Sequence, residues 1–296
     1  MTADVDRQRR TGALLVVAAA VAWSTAPFFT RLLHQDSWTI LFWRGVFASI
    51  FITTVLAVTE GRKGLRNLVA MRPHGWLVAG LSAFGMMTFI PSLQLTSVAN
   101  VAIIIAMQPF AAAAIAWLWL REPARPGTLL ASLVALAGVA ITVSGAAGIT
   151  DYRGIGLACV MALAIALMTV VIRRHKGTPM IAAAALSNFL GSVVSLPLGQ
   201  GIGAVTGADL GVLAMFGACQ VGLGLTLFTI GSRLLPSGQA SLIATLETPL
   251  MPFWVWLAFA EVPSPRALIG GALVMGAVVA DIVASQRAQL TRPTDR

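Results

Sequence analysis

Ten stretches of mostly apolar residues follow one another along this chain, joined by short polar turns, and together they use nearly all of it. They run over 11–32, 38–58, 75–94, 98–120, 127–146, 153–173, 179–198, 209–232, 238–260 and 266–286. A helix needs about 20 apolar residues to cross a hydrocarbon core of about 30 Å. The chain is therefore predicted to be an all-α membrane protein of ten transmembrane helices. HQDS at 34–37, REPARPG at 121–127, RRHKGTP at 173–179 and EVPSP at 261–265 supply the turns. Only 59–74 makes a longer polar connector, so no soluble domain is expected. Composition agrees: 57% of the residues are hydrophobic and 10% charged, against roughly 45–50% and about 25% in soluble domains.

The net charge of +9 forms no continuous basic face that would suit nucleic acid, because Lys and Arg sit in clusters between the runs. These clusters mark topology, since cytoplasmic loops carry the excess of basic residues. Alternating the ten spans places sixteen basic residues on one side, among them Arg9, Arg62, Lys63, Arg121, Arg125, Arg173, Arg174 and Lys176. Three, Arg31, Arg153 and Arg266, fall on the other, and Arg44 lies inside the second span. Both termini are thereby expected in the cytoplasm, which requires an even number of spans. The first run lacks a small-residue cleavage pattern and is read as a retained helix. Cys159 and Cys219 lie in apolar runs without a CxxC or a neighbouring His, so neither a disulfide nor a metal site is indicated.

The chain repeats itself. LTSVANVAIIIAMQPFAAAAIAWLWLREP (95–123) placed over LPSGQASLIATLETPLMPFWVWLAFAEVP (235–263) matches Leu95, Ser97, Ile103 and Pro109 to Leu235, Ser237, Ile243 and Pro249. One residue of slippage then brings Glu122 to Glu261 and Pro126 to Pro265, and each segment continues into a small-residue helix, SLVALAGVAI or GALVMGAVVA. The first spans of the halves correspond loosely as well. Two five-helix units follow, residues 1–148 and 149–296, and because five is odd the second crosses the membrane inverted. Inverted repeats are the architecture of alternating access; the plainer alternative is a duplicated scaffold.

This pattern resembles the EamA-type, ten-helix branch of the drug/metabolite transporter superfamily. The stretches SLIATLETPLMPFWVWLAFAEVPSPRALIGGALVMGAVV and IIIAMQPFAAAAIAWLWLREPARPGTLLASLVALAGVAI carry the resemblance. It implies a membrane transporter without a cofactor, in a bacterial inner membrane, and export of amino acids by analogy with the YddG-like amino acid exporters. Drugs, nucleotide sugars and other metabolites are the alternative cargoes within the family. At one position the chain departs from many members: Thr248 separates Glu247 from Pro249.

Ionisable residues inside spans are functional candidates, because an unpaired charge in lipid costs about 3 kcal/mol or more. Arg44 lies about two turns from the outer face and either snorkels outward or pairs with a carboxylate. Asp281, about one turn from the inner end of its span and close to Arg287, is read as interfacial. Glu247 differs, since nine residues of helix put it about 14 Å deep, beyond the reach of snorkelling. It either faces a wet cavity, where it would bind a substrate amino group or carry a coupling proton, or it bonds to a neighbouring helix. Pro249 and Pro252 remove the helical partners of the Thr245 and Thr248 carbonyls, and Pro109 does the same to Ile105. These prolines are candidate hinges, and broken backbone is tolerated only against protein or a cavity.

Trp23, Ser24, Thr25, Gln108, Thr169, Gln220 and Thr248 lie at similar depth and join Glu247 as candidate substrate contacts. The bland reading is back-bonding for Ser and Thr and packing for Trp23. Trp38, Trp76, Trp117, Trp119, Trp254 and Trp256 fall toward span ends and read as an interfacial belt. Gly127, Ala131 and Ala135, with Ala267 and Gly271, form small faces for close helix contact; a monomer is favoured over a dimer. No HExxH, GxSxG or GxxxxGK[ST] occurs, so neither an enzyme nor an ATP-driven pump is expected. Gly201 and Gly203 mark a turn. A non-transporting scaffold or receptor remains the alternative of another class.

Overall fold

Proline decides where these helices start and where several of them break. The structure, a computed structural model, describes residues 2–96, 98–144, 152–175, 180–260 and 264–290. Ser97, Lys176 and Glu261, used in the repeat and charge arguments, lie outside them. Among the described residues all regular structure is helical. The first half comprises α1 (Thr2–Ser24 and Ala26–Leu32, broken at Thr25), α2 (Ser37–Val69), α3 (Pro73–Leu95), α4 (Val98–Ala106 and Gln108–Leu120, broken at Met107) and α5 (Pro126–Val143). The second comprises α6 (Tyr152–Arg174), α7 (Met180–Ser195), α8 (Gly207–Ser232), α9 (Ser237–Ala244 and Glu247–Phe259, broken at Thr245 and Leu246) and α10 (Pro265–Leu290). Among the described residues seven helical stretches, three of them continuing across these breaks, are long and apolar enough to cross a membrane, and Pro126–Thr142 and Met180–Ser195 are shorter apolar helices. The protein is an all-α membrane protein, as its hydropathy requires.

Pro73, Pro126 and Pro265 open α3, α5 and α10, where a missing N–H costs no helical bond. Asp36 caps α2 by accepting from the backbone N–H groups of Trp38 and Thr39, both at 3.0 Å. The far ends of α4 and α9 close in the same way: Arg121 and Ala260 both take the left-handed conformation, with φ of 56°. The 59–74 stretch, expected as a connector, is instead helical to Val69, and α2 changes direction at Gly61, whose φ of 59° suits glycine.

The helices pair in a regular way. α5 packs on α10, α2 on α7 and α4 on α9; α3 packs on α6 as α1 does on α8, and α2 on α8 as α3 does on α7. Exchanging the first five helices with the last five maps each of these named pairs onto itself or onto another of them. α7 can be so enclosed because Ala182, Ala183, Ala184 and Ala185 are small enough for α2 and α3 to close over it. The tightest approach joins α5 to α10 at Gly138 and Gly270, where a Cβ on Gly138 would lie 2.6 Å from the Gly270 carbonyl oxygen. Of the small residues expected at this contact, Ala131 and Ala135 are buried, whereas a Cβ on Gly127 would meet nothing. Gly271 faces Pro249 of α9 instead.

Candidate functional site

Among the described residues, and apart from the glycine kink of α2, three helices, α1, α4 and α9, break partway along their length. Each interruption falls two to four residues before a proline: Thr25 before Pro27, Met107 before Pro109, and Thr245 and Leu246 before Pro249. The missing proline N–H strands the carbonyl four residues earlier, so the fault appears upstream. The backbone tightens there without unwinding. At α9 the N–H groups of Thr245, Leu246 and Thr248 donate to the carbonyls of Leu242, Ile243 and Thr245 at 3.1 Å, a run of 3₁₀-type bonds. Thr248 thus satisfies the carbonyl that Pro249 strands. Pro252, the other candidate hinge of α9, sits in the unbroken piece Glu247–Phe259.

At α1 the stranded carbonyl belongs to Trp23, and the Gln220 side chain donates to it at 3.1 Å. Gln220 can reach because α8 widens to a π-helix over Phe216–Leu223, an arrangement frequent at functional sites. Trp23 packs on Phe228 at 5.1 Å between ring centroids and closes over Gly224. Ser24 is fully buried, bonds back to Val21 and accepts from the indole N–H of Trp254 at 2.8 Å. Trp254, expected in the interfacial belt, therefore ties α9 to α1; its distance from the helix end hid the partner. Trp117, Trp119 and Trp256 are exposed at the periphery of the protein.

The remaining candidates divide by burial. Thr169 is fully enclosed and its hydroxyl donates to the Ile165 carbonyl at 2.9 Å; Thr25 similarly donates to Ala22. Gln108, Glu247 and Thr248 are half-buried. Glu247 opens the second piece of α9, so its carboxylate stands at the positive end of that helix. Its counterpart in α4, Met107, carries no charge, and Gln108 is the polar residue at that level.

Arg44 neither snorkels outward nor meets a carboxylate among the described residues. Its Nη2 lies 3.4 Å from the Met86 sulfur of α3, and its guanidinium carbon 5.2 Å from the centre of the Phe216 ring of α8. Asp281 also differs from its interfacial reading. It is buried, accepting from Thr128 of α5 at 2.7 Å and from Gln239 of α9 at 3.1 Å. Both donors lie more than forty positions away in the chain, so nothing local announced them.

α4 and α9 meet along half their length. The pieces nearer the basic face, Gln108–Leu120 and Ser237–Ala244, pack together, and a Cβ on Gly238 would lie 3.4 Å from that of Ala113. The outer pieces diverge: Val98–Ala106 packs on α5 and α6, and Glu247–Phe259 on α1 and α10. Beside the closed half, Pro109, Ser132, Ser237 and Gln239 line a cavity of about 290 Å³ whose rim carries Arg9 and Arg125. At the basic face Arg173 pairs with Glu122 at 3.7 Å and donates to the Arg233 carbonyl at 2.9 Å, linking the ends of α4, α6 and α8. Both cysteines are exposed and unbonded.

This arrangement of broken helices, one seam closed at a single face and an interior carboxylate, suits a protein that passes solutes. The comparisons agree. An uncharacterized transporter of Archaeoglobus fulgidus is 26% identical over 277 residues, 92% of this chain and 97% of that protein. A crystal structure with 17% identity superposes with a TM-score of 0.80 over 94% of this chain and 99% of its own, a likeness of fold. The model of the EamA-like transporter family matches residues 10–144 and again residues 152–280. The chain belongs to the EamA-like transporter family, and it is a membrane transporter.

Proposed function

We propose that the protein exports amino acids or related small metabolites by alternating access, with its basic face and both termini in the cytoplasm of a bacterial inner membrane. The two halves, 1–148 and 149–296, act as inverted copies; the sequence repeat, the exchange-invariant helix pairing and the double family match support this. The observation that carries the proposal is the seam between α4 and α9, packed toward the basic face and parted toward the other. Alternating access needs such a contact to close on one side while the site opens to the other. The seam in this state is shut toward the cytoplasm. Bending at Thr25, Met107 and Thr245–Leu246, with Pro109, Pro249 and Pro252 as hinge prolines, reverses it.

Glu247 holds the substrate ammonium group or a coupling proton at the centre, flanked by Gln108 and Thr248. Trp23, Ser24 and Gln220 support the wall, and Thr169 and Thr25 shape it through their own helices. Purified protein in proteoliposomes, loaded in turn with each of a panel of amino acids, should show efflux and counterflow of at least one. Absence of flux for every amino acid, with flux of a drug or a nucleotide sugar, would transfer the protein to that branch of the family.

A further inference from the structure

We infer that Arg44 is the recognition point for a carboxylate on the transported molecule; the inference rests on the proposed transport and narrows its substrate class. Arg44 lies seven residues into α2, about 10 Å from the outer end, where a lone charge is costly. Its two neighbours do not neutralise it. The Met86 sulfur is a weak acceptor, and the Phe216 ring offers a cation–π contact of about 0.5–2 kcal/mol, short of what pairing with an anion gives. Of the described carboxylates, Asp36 bonds to the start of α2, Asp209 to Gln35 and Thr206, Asp281 to Thr128 and Gln239, Glu122 to Arg173 and Glu60 to Asn67, and none of these meets Arg44.

The surroundings of the guanidinium are apolar. Arg44 of α2 reaches the Met86 sulfur of α3, and it is half-buried there. From Phe216 a row of aromatic rings leads toward the outer half: Phe216 stacks on Phe29 at 5.0 Å, Phe29 meets Phe28 at 5.2 Å, and Phe28 meets Phe259 of α9 at 6.0 Å. A planar, permanently charged fork left half-buried, without an anionic partner among the described residues and backed by apolar rings, is suited to a carboxylate presented on an apolar molecule. Together with the negative charge of Glu247, it selects solutes that carry both signs, and it rejects their esters and amides.

Three probes with one side chain separate the possibilities: L-phenylalanine, L-phenylalaninamide, which lacks the carboxylate, and 3-phenylpropionate, which lacks the amine. Binding to the purified full chain is read from its tryptophan fluorescence. Wild type should bind the acid at least tenfold more tightly than the amide. Arg44→Gln should weaken phenylalanine and phenylpropionate tenfold or more and leave the amide unchanged, whereas Arg44→Lys retains part of the preference. Phenylpropionate binding that needs Arg44, with no amino acid flux, refutes the export proposal and upholds this one. Equal affinity of wild type for acid and amide overturns it without recourse to a variant. So does a wild type that ignores these and a wider set of carboxylates while transporting uncharged or cationic solutes.

Discussion

Locking the seam between α4 and α9 tests alternating access most directly. In a background with the exposed Cys159 and Cys219 replaced by Ala, Ala113→Cys and Gly238→Cys place two thiols across it. The Cβ positions lie 3.4 Å apart, about 0.1 Å short of the 3.5–4.5 Å that a disulfide spans. Once bridged, the seam can widen by only about 1 Å before the bond is strained, less than the ~2.8 Å diameter of a single water. No solute can pass such a gap. Flux should therefore fall in proportion to the bridged fraction, measured by gel shift after thiol labelling, and return on reduction. Because the bridge fits the closed state, the protein should keep its thermal stability and its monodisperse elution. Wild-type flux through fully bridged protein would refute the assignment of this seam as a gate.

Glu247→Gln removes the interior charge and should weaken a substrate bearing an ammonium group by the ~1.5–3 kcal/mol of a charged hydrogen bond, about 10- to 100-fold in affinity, with less effect on phenylpropionate; equal losses for both would argue against ammonium binding. Asp36→Ala should cost about 1 kcal/mol in thermal unfolding through loss of the cap on α2. Partial burial acts to raise the Asp36 pKa, but the Thr39 hydroxyl and the Thr39, Trp38 and Gln200 amides outweigh it and hold the group below its ordinary value. The stabilisation is thus present above about pH 3.9 and disappears as pH falls through the lower folded value, so wild type and variant should converge in acid. His175 behaves oppositely. Burial, the neighbouring His74 and Arg174 push its pKa down, and its ring stacks on His74 at 3.6 Å. The folded protein resists protonation there, so stability should be full above about pH 6.5 and decline below it, and His175→Gln should flatten that decline.

Much of the frame was legible because lipid leaves the chain few options. The apolar runs gave the helices, and the prolines at 109 and 249 gave two of the three interruptions. The third, at Thr25, obeys the same rule through Pro27, whereas α3 runs through Pro91 without a break. A proline therefore marks a stranded carbonyl, and what the backbone does next depends on which donor comes to it. Gln220 does so for Trp23 from 197 positions away, a distance at which no local pattern operates. Asp281 and Trp254 were misplaced for a related reason. Depth along a helix was readable from residue counting, but the direction in which each side chain points was fixed by α1, α5 and α9, whose arrangement the sequence pattern did not contain. Arg44 shows the same limit, since outward and inward rotamers satisfy the same hydropathy.

The close approach of α5 and α10 has a mechanical consequence. At Gly138 and Gly270 the two backbones touch with no side chain between them, and a Cβ on Gly270 would sit among the Gly138 carbonyl and Thr142. Such a joint has no lubricating layer of rotamers that could slide or reshape during a stroke. It binds one half of the molecule to the other like pages to a spine. Wholesale rocking of the halves would have to shear this joint, so the proposed alternating access calls for a flexing of individual leaves, α1, α4 and α9, each creased where a proline has withdrawn one hydrogen bond.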